Sequence, residues 1–206
     1  MSKKNKIMVI YGGISAEREI SIISSREIIS SLRRLNYDVI KIDANLDLID
    51  QIYANNPDII FNALHGTWGE DGEVQKILEE SKVPYTHSGI AASKLAMDKN
   101  ESGKIFTQNG FSYPNSIMCN LNDLIGSDPM QYPYVIKPND SGSSVGVAII
   151  FNELEKNEYI ESIISGQTSS SKKNKVLVQE FIEGPEVQVA IYGKDQVGSI
   201  EIVPKN

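Results

Sequence analysis

The chain has 206 residues, 40% hydrophobic and 23% charged, with a formal net charge of -7 at pH 7, the profile of an ordinary soluble globular protein of one large or two small domains. The acidic balance leaves no basic surplus for non-specific nucleic-acid binding, and no apolar run approaches the ~20 residues of a membrane span, so neither nucleic acid nor membrane is an expected partner. A single cysteine, Cys119, excludes an intrachain disulfide and an all-cysteine metal site, and the expected compartment is the cytoplasm.

Ile7 to Tyr11 is a short apolar run ending in Gly12-Gly13, the pattern of a buried parallel strand. Ala16 to Leu35 carries Ile20, Ile23, Ile28, Leu32 and Leu35 at near-helical spacing. Ser15 reads as its N-cap, with Glu17 and Glu19 in the first turn, where the helix dipole favours anions. Val39 to Ile42 reads as a second strand, Leu48 to Ala54 as a short helix, Ile59 to Leu64 as a third strand, and Gly72 to Glu80 as another helix. This β-α-β-α-β-α order predicts an α/β fold, a doubly wound parallel sheet with helices on both faces. Ligands of such sheets bind outside the carboxyl ends of the strands, here the loops opening at Gly12 and His65.

After about residue 95 the pattern changes. One helix is predicted over Lys94 to Asn109, then a Tyr-Pro connection and strands at Tyr134 to Lys137 and Val145 to Phe151. A helix near Glu153 to Ile164, a polar loop over Ser165 to Lys175 and a strand over Val176 to Phe181 follow. Val187 to Tyr192 and Gln196 to Val203, joined by Gly193-Lys194-Asp195, read as a hairpin. The sequence stops just after that strand with no helix to cover it, which reads as an unfinished domain.

The stretch from Lys137 to Val147 carries the most chemistry. A strand delivers a lysine, and Asn139-Asp140-Ser141-Gly142-Ser143-Ser144-Val145-Gly146 follows. Small residues let backbone N–H groups converge on an anion, and the lysine adds a positive charge beside them. It is not a P-loop, in which the lysine follows the glycines and a helix comes next. The alternative reading is a glycine-rich hairpin that only turns the chain.

Several motifs together resemble the D-alanine–D-alanine ligase family of the ATP-grasp superfamily. They are Gly12-Gly13-Ile14-Ser15-Ala16-Glu17-Arg18-Glu19-Ile20-Ser21, Ala63-Leu64-His65-Gly66 with Gly69-Glu70-Asp71-Gly72, and Tyr85-Thr86-His87-Ser88-Gly89. Met97-Asp98-Lys99, the Lys137 loop and Glu180-Phe181-Ile182-Glu183-Gly184-Pro185-Glu186 continue the series. The resemblance implies a Rossmann-like pre-ATP-grasp domain over 1–95, a central α+β ATP-grasp lid subdomain over 96–182, and over 183–206 the start of a truncated C-terminal subdomain. It implies a homodimer joined through the N-terminal region. The implied reaction joins two D-alanines through an acyl phosphate, giving D-alanyl-D-alanine for peptidoglycan synthesis. Alternatives are a sister ligase of the D-alanine–D-lactate type and a non-catalytic nucleotide-binding or interaction module.

The resemblance also assigns roles. Lys99 and Lys137 would contact the ATP phosphates, with Ser144 and neighbouring N–H groups beside them. Glu17 would hold the ammonium of the first D-alanine, Ser143 would hydrogen-bond with Glu17 to position it, and His65 would line the same pocket. Gln179, Glu180, Phe181, Ile182 and Glu186 would form the adenine and ribose clamp, Gln179 standing where many relatives carry an acid. By themselves these residues also read as solvated lysines, a dipole-complementing glutamate, a turn serine, a structural histidine and a core-packing strand. His87 reads as a turn residue and Trp68 as a loop anchor. Mg²⁺ is the implied metal, its ligands expected beyond residue 206, so no metal ligand is assigned within the chain and these residues alone are not expected to ligate.

Overall fold

A computed structural model describes residues 5–142, 144–166 and 175–203. Three parallel strands form the first sheet: β1 (Lys6–Gly12), β2 (Asp38–Ala44) and β3 (Ile59–Asn62), in the order β2-β1-β3. Alternate residues of β1 point to opposite faces. Ile7 and Val9 pack with Ile29 of α1 (Arg18–Arg34) on one face. On the other, Met8 and Ile10 pack with Leu48 and Ile52 of α2 (Leu48–Asn55) and with Val74 and Leu78 of α3 (Glu73–Ser81). Helices thus cover both faces, as the alternating sequence predicted. The chain leaves β1 for β2 on one side and returns to β3 on the other, so β1 and β3 flank the point where strand order reverses. That is where a ligand crevice opens in such sheets.

Where one long helix was predicted, two are found: α4 (Ile90–Met97) and α5 (Lys99–Gln108). Asp98 breaks them apart, its backbone extended at φ -85° and ψ 101°. Its carboxylate accepts from the Glu101 N–H at 2.9 Å, because a short acidic side chain caps a helix start better than it continues a helix.

The second sheet is antiparallel: β4 (Ser116–Asn120), β5 (Tyr134–Pro138), β6 (Ala148–Ile150) and β7 (Lys175–Glu180), in the order β4-β7-β5-β6. β4 was not predicted. β6 is shorter than the predicted Val145–Phe151, since Ser144 (φ 57°) and Gly146 (φ 72°) occupy a left-handed turn before it. Tyr134, Ile136, Val176 and Val178 form a core with Tyr159, Ile160 and Ile163 of α6 (Glu153–Ile164). The intervening side chains, Lys137 and Gln179 among them, therefore take the face away from α6.

A ribbon of β8 (Glu186–Tyr192) and β9 (Asp195–Ile202) follows, the predicted hairpin with Asp195 drawn into the strand. Every residue of β8 is exposed. Most of the predicted 165–175 loop lies outside the described residues. No described helix is long and apolar enough to cross a membrane.

Candidate functional site

Three loops meet at the reversal point: the one after β1, the one after β3, and the turn from Asn139 to Gly146. Between the second and third of these loops and α4 lies a cavity of about 1190 Å³, lined among others by Asn62, Glu70, Gln75, His87, Lys99, Ser141, Gly142 and Tyr192.

Glu17 is the first landmark. Ser15 does not cap α1 as expected; Glu17 occupies the N-cap position. The Ser15 hydroxyl instead accepts from the Glu17 N–H at 3.1 Å and donates to the His65 carbonyl at 2.7 Å, fastening the β1 loop to the β3 loop. The Glu17 carboxylate then lies against two glycines. A Cβ built on Gly66 would stand 2.7 Å from Glu17 Oε1, and one built on Gly142 would stand 2.9 Å from it. Only residues without a side chain leave room there, and Gly142 belongs to the lysine–glycine turn. Glu17 and that turn are therefore in contact across the crevice.

Sequence reading missed the fork that holds the helix start. Arg18 donates to both Asp43 oxygens, at 2.7 and 2.5 Å, and to the Gly13 carbonyl at 3.1 Å. Arg18 hydrogen-bonding holds the Asp43 carboxyl below the usual carboxylate range. We expect Asp43→Ala to loosen the Glu17 loop at a stability cost of about 1 kcal/mol or less, since both partners are exposed. Urea denaturation measures the cost; a loss of more than about 2 kcal/mol would make the fork a core element instead.

The His65 ring meets α1 and its own loop. Its Nε2 lies 3.1 Å from Ser24 Oγ and its Nδ1 3.5 Å from Glu70 Oε1. The loop enters the cavity lining through Gly69 and Glu70. His87 is the turn residue it was taken for, with φ 78°, and it lines the cavity as well. Trp68 is likewise an anchor, its N–H on Asp71 at 2.8 Å and its ring against the first core.

The two lysines converge from separate elements. Lys99 opens α5, and its ammonium donates to the Ser141 carbonyl and approaches the Asn139 carbonyl at 3.5 Å. Its backbone N–H donates to Asn139 at 3.1 Å. Lys137 on β5 donates from Nζ to Gln179 Oε1 at 2.5 Å. Burial lowers the pKa of both below the ordinary lysine value, and the Lys99 charge lowers that of Lys137 further. Two half-buried cations that feel each other beneath a glycine turn make a seat for a polyanion. The far end of the turn is held by Tyr159, whose hydroxyl donates to the Gly146 carbonyl at 2.8 Å and whose pKa burial pushes up to about 12.

Ser144 lies exposed in the left-handed part of the turn. Ser143 lies outside the described residues. Gln179 is buried beside Lys137. Glu180 turns its carboxylate to the Asn115 amide at 3.0 Å. Phe181 faces Phe151 with ring centroids 6.3 Å apart, while Ile182 and Glu186 are exposed. Lys99 and Gly142 thus line the cavity, Glu17 touches the turn at Gly142, and Lys137, bonded to Gln179, lies within reach of the Lys99 charge, with Glu180 turned aside. Among the described residues, no three His, Cys, Asp or Glu side chains gather to hold a metal ion.

The chain is similar to known proteins over nearly its whole length. The family model "D-ala D-ala ligase N-terminus" matches residues 45–88, and "D-ala D-ala ligase C-terminus" matches residues 119–206. The D-alanine–D-alanine ligase of Rickettsia felis is 41% identical over 199 residues, covering 97% of this chain and 60% of that protein. The chain thus spans about 60% of the length of the curated relatives it matches. The structure of D-alanine–D-alanine ligase from Bacillus anthracis complexed with ATP superposes with a TM-score of 0.78 at 30% identity, over 98% of this chain and 67% of that one. A D-Ala:D-Ser ligase from Enterococcus faecalis gives a TM-score of 0.71 at 25% identity, over 97% and 68% of the two chains. Two family models in sequence order and a shared fold leave one assignment: the chain belongs to the D-alanine–D-alanine ligase family.

Proposed function

We propose that this chain provides the ATP-phosphate seat and the first amino-acid site of an ATP-dependent ligase that joins two D-alanines. The observation that carries the reading is the contact of Glu17 with Gly142, which sets a carboxylate for an ammonium group next to a turn that closes over two lysines. A D-alanine held by its ammonium on Glu17 would direct its own carboxylate toward the γ-phosphate held by Lys99 and Lys137.

The chemistry is then largely positioning and charge neutralisation. The D-alanine carboxylate attacks the γ-phosphorus, ADP leaves, and an acyl phosphate forms. The amine of a second D-alanine attacks the acyl carbon, the C–N bond forms and inorganic phosphate leaves. Lys99 and Lys137 offset charge on the transferring group, and Gly142 lets the turn approach it closely. On this reading residues 1–95 present the amino acid, 96–182 present the nucleotide, and Ser143, Ser144 and His65 adjoin the substrates. No step is assigned here to Mg²⁺.

Calorimetric titration of the 206-residue chain tests the reading. ATP is expected to bind, and D-alanine is expected to bind to the ATP-loaded chain. Glu17→Gln should weaken D-alanine by about tenfold or more, the loss of one charge-assisted hydrogen bond, while leaving ATP within about twofold. Absence of ATP binding would sink the proposal.

Gly142→Ala is a sharper probe. Its backbone needs no left-handed conformation, so the added methyl meets only the Glu17 carboxylate. D-alanine affinity should fall about tenfold with stability within about 1 kcal/mol of wild type. In a Glu17→Ala background the same change should have no further effect on D-alanine, because the clash is gone.

A further inference from the structure

Lys137 and Gln179 meet on one face of the β5–β7 ladder, and their hydrogen bond settles which end of the Gln179 amide does what. An ammonium has only donors, so the amide must turn its oxygen toward it. Lys137 Nζ accordingly lies 2.5 Å from Gln179 Oε1. The Nε2 end, with its two N–H groups, points elsewhere. Gln179 is 6% exposed, and Nε2 is a buried donor with no partner among the described residues. A buried donor left unpaired is costly and calls for an acceptor from outside the chain.

Its position says which part of a nucleotide it meets. Lys137 stands between the Lys99 charge on one side and Gln179 on the other. Two residues past Gln179, at the same parity, Phe181 faces Phe151, which is 56% exposed. A triphosphate seated on the two lysines therefore leads past Gln179 toward an open aromatic surface suited to a flat base.

We propose that Gln179 sets the base preference of this site, and that by offering a donor it admits a purine with a carbonyl at position 6 as readily as adenine. A 6-oxopurine turns its O6 and N7 acceptors to Nε2. Adenine can offer N7, but its 6-amino group is a donor facing a donor. A glutamate at 179 would create a preference for adenine, one carboxylate oxygen on Lys137 and the other accepting from the 6-amino group. The inference rests on the nucleotide-site reading above and adds selection among bases to it.

Displacement of a fluorescent ATP analogue from the 206-residue chain by ATP and by ITP tests it. Wild type should bind the two within about threefold of each other, and Gln179→Glu should favour ATP by about tenfold or more. Gln179→Met keeps the volume without the amide and should hold the ratio near one while weakening both, which also supports the proposal. An ATP preference of about tenfold in the wild type, or an unchanged ratio in Gln179→Glu, would overturn it while leaving the nucleotide site intact. Displacement by neither nucleotide would overturn the nucleotide reading and this inference together.

Discussion

Replacing both Lys99 and Lys137 with methionine should weaken ATP binding by about a hundredfold or more. A hydrogen bond to a charged group contributes about 1.5–3 kcal/mol, and each 1.4 kcal/mol is about tenfold, so two such contacts give that factor. Methionine keeps the apolar stem of each side chain and removes only the cation. Single variants should fall between wild type and the double. The folded state should not suffer, because each ammonium is half-buried and that of Lys137 is repelled by Lys99. Affinity by calorimetry and melting by circular dichroism separate the two effects. A double variant within about tenfold of wild type would remove the lysines from the phosphate seat.

The same lysines give a pH dependence of fixed sign. Both titrate below their ordinary value of 10.5 in the fold, burial being the largest cause. In the window between the lowered values and 10.5, the unfolded chain holds more protons than the folded one, so stability of the free protein rises with pH there. ATP affinity should fall across the same window, because the deprotonated amines no longer neutralise phosphate. Bound phosphates should draw the protons back, so calorimetric enthalpies near the lowered values should vary with the ionisation heat of the buffer. Invariance between buffers would count against both lysines contacting the ligand.

Asp128→Ala should destabilise the second sheet by about 3 kcal/mol, the low end for breaking a buried ion pair. Lys156 is 1% exposed, and among the described residues its ammonium donates to Asp128 Oδ1 at 2.7 Å and the Ser127 carbonyl at 3.0 Å. Tyr132 donates to the same carboxylate oxygen at 2.5 Å. Removing the acid strands a charge inside the protein. Lys156→Met should cost less, about 1 kcal/mol, since the Asp128 side chain is 38% exposed and water can take over. Urea midpoints at constant slope give both values. Equal losses from the two substitutions would show that packing, and not the stranded charge, sets the cost.

Much of this was legible in the residues. The alternation of apolar period gave the first sheet and its helices, because each of those segments satisfies one periodicity throughout. The break at Asp98 was not, since helical spacing runs on through it and only a cap bond to Glu101 decides. Nor was β4, whose short, mixed sequence pairs with β7 from Ser116 against Gln179 to Asn120 against Lys175. A strand stabilised by such a distant partner leaves little local signature. At the site, composition marked the lysine–glycine turn and the motifs marked Lys99, Glu17 and Gln179 as the residues on which the proposal rests. The Arg18–Asp43 fork joins residues 25 apart, and the fit of Glu17 against two glycines depends on packing across the crevice. The sideways turn of Glu180 follows from Asn115, which no motif marks.

β7 lies between β4 and β5, although it is the last of the four strands to be synthesised. The three strands of the first sheet have all been made by residue 62. The second has no pairing for β4, and β5 lacks the partner on its inner edge, until β7 emerges. At about 5–20 residues per second, the stretch between β4 and the end of β7 takes roughly 3–12 s to translate. For that interval the nascent chain carries one closed sheet and one open one. Lys137, oriented by a residue of β7, takes its place in the proposed phosphate seat only when the ribosome has passed that strand.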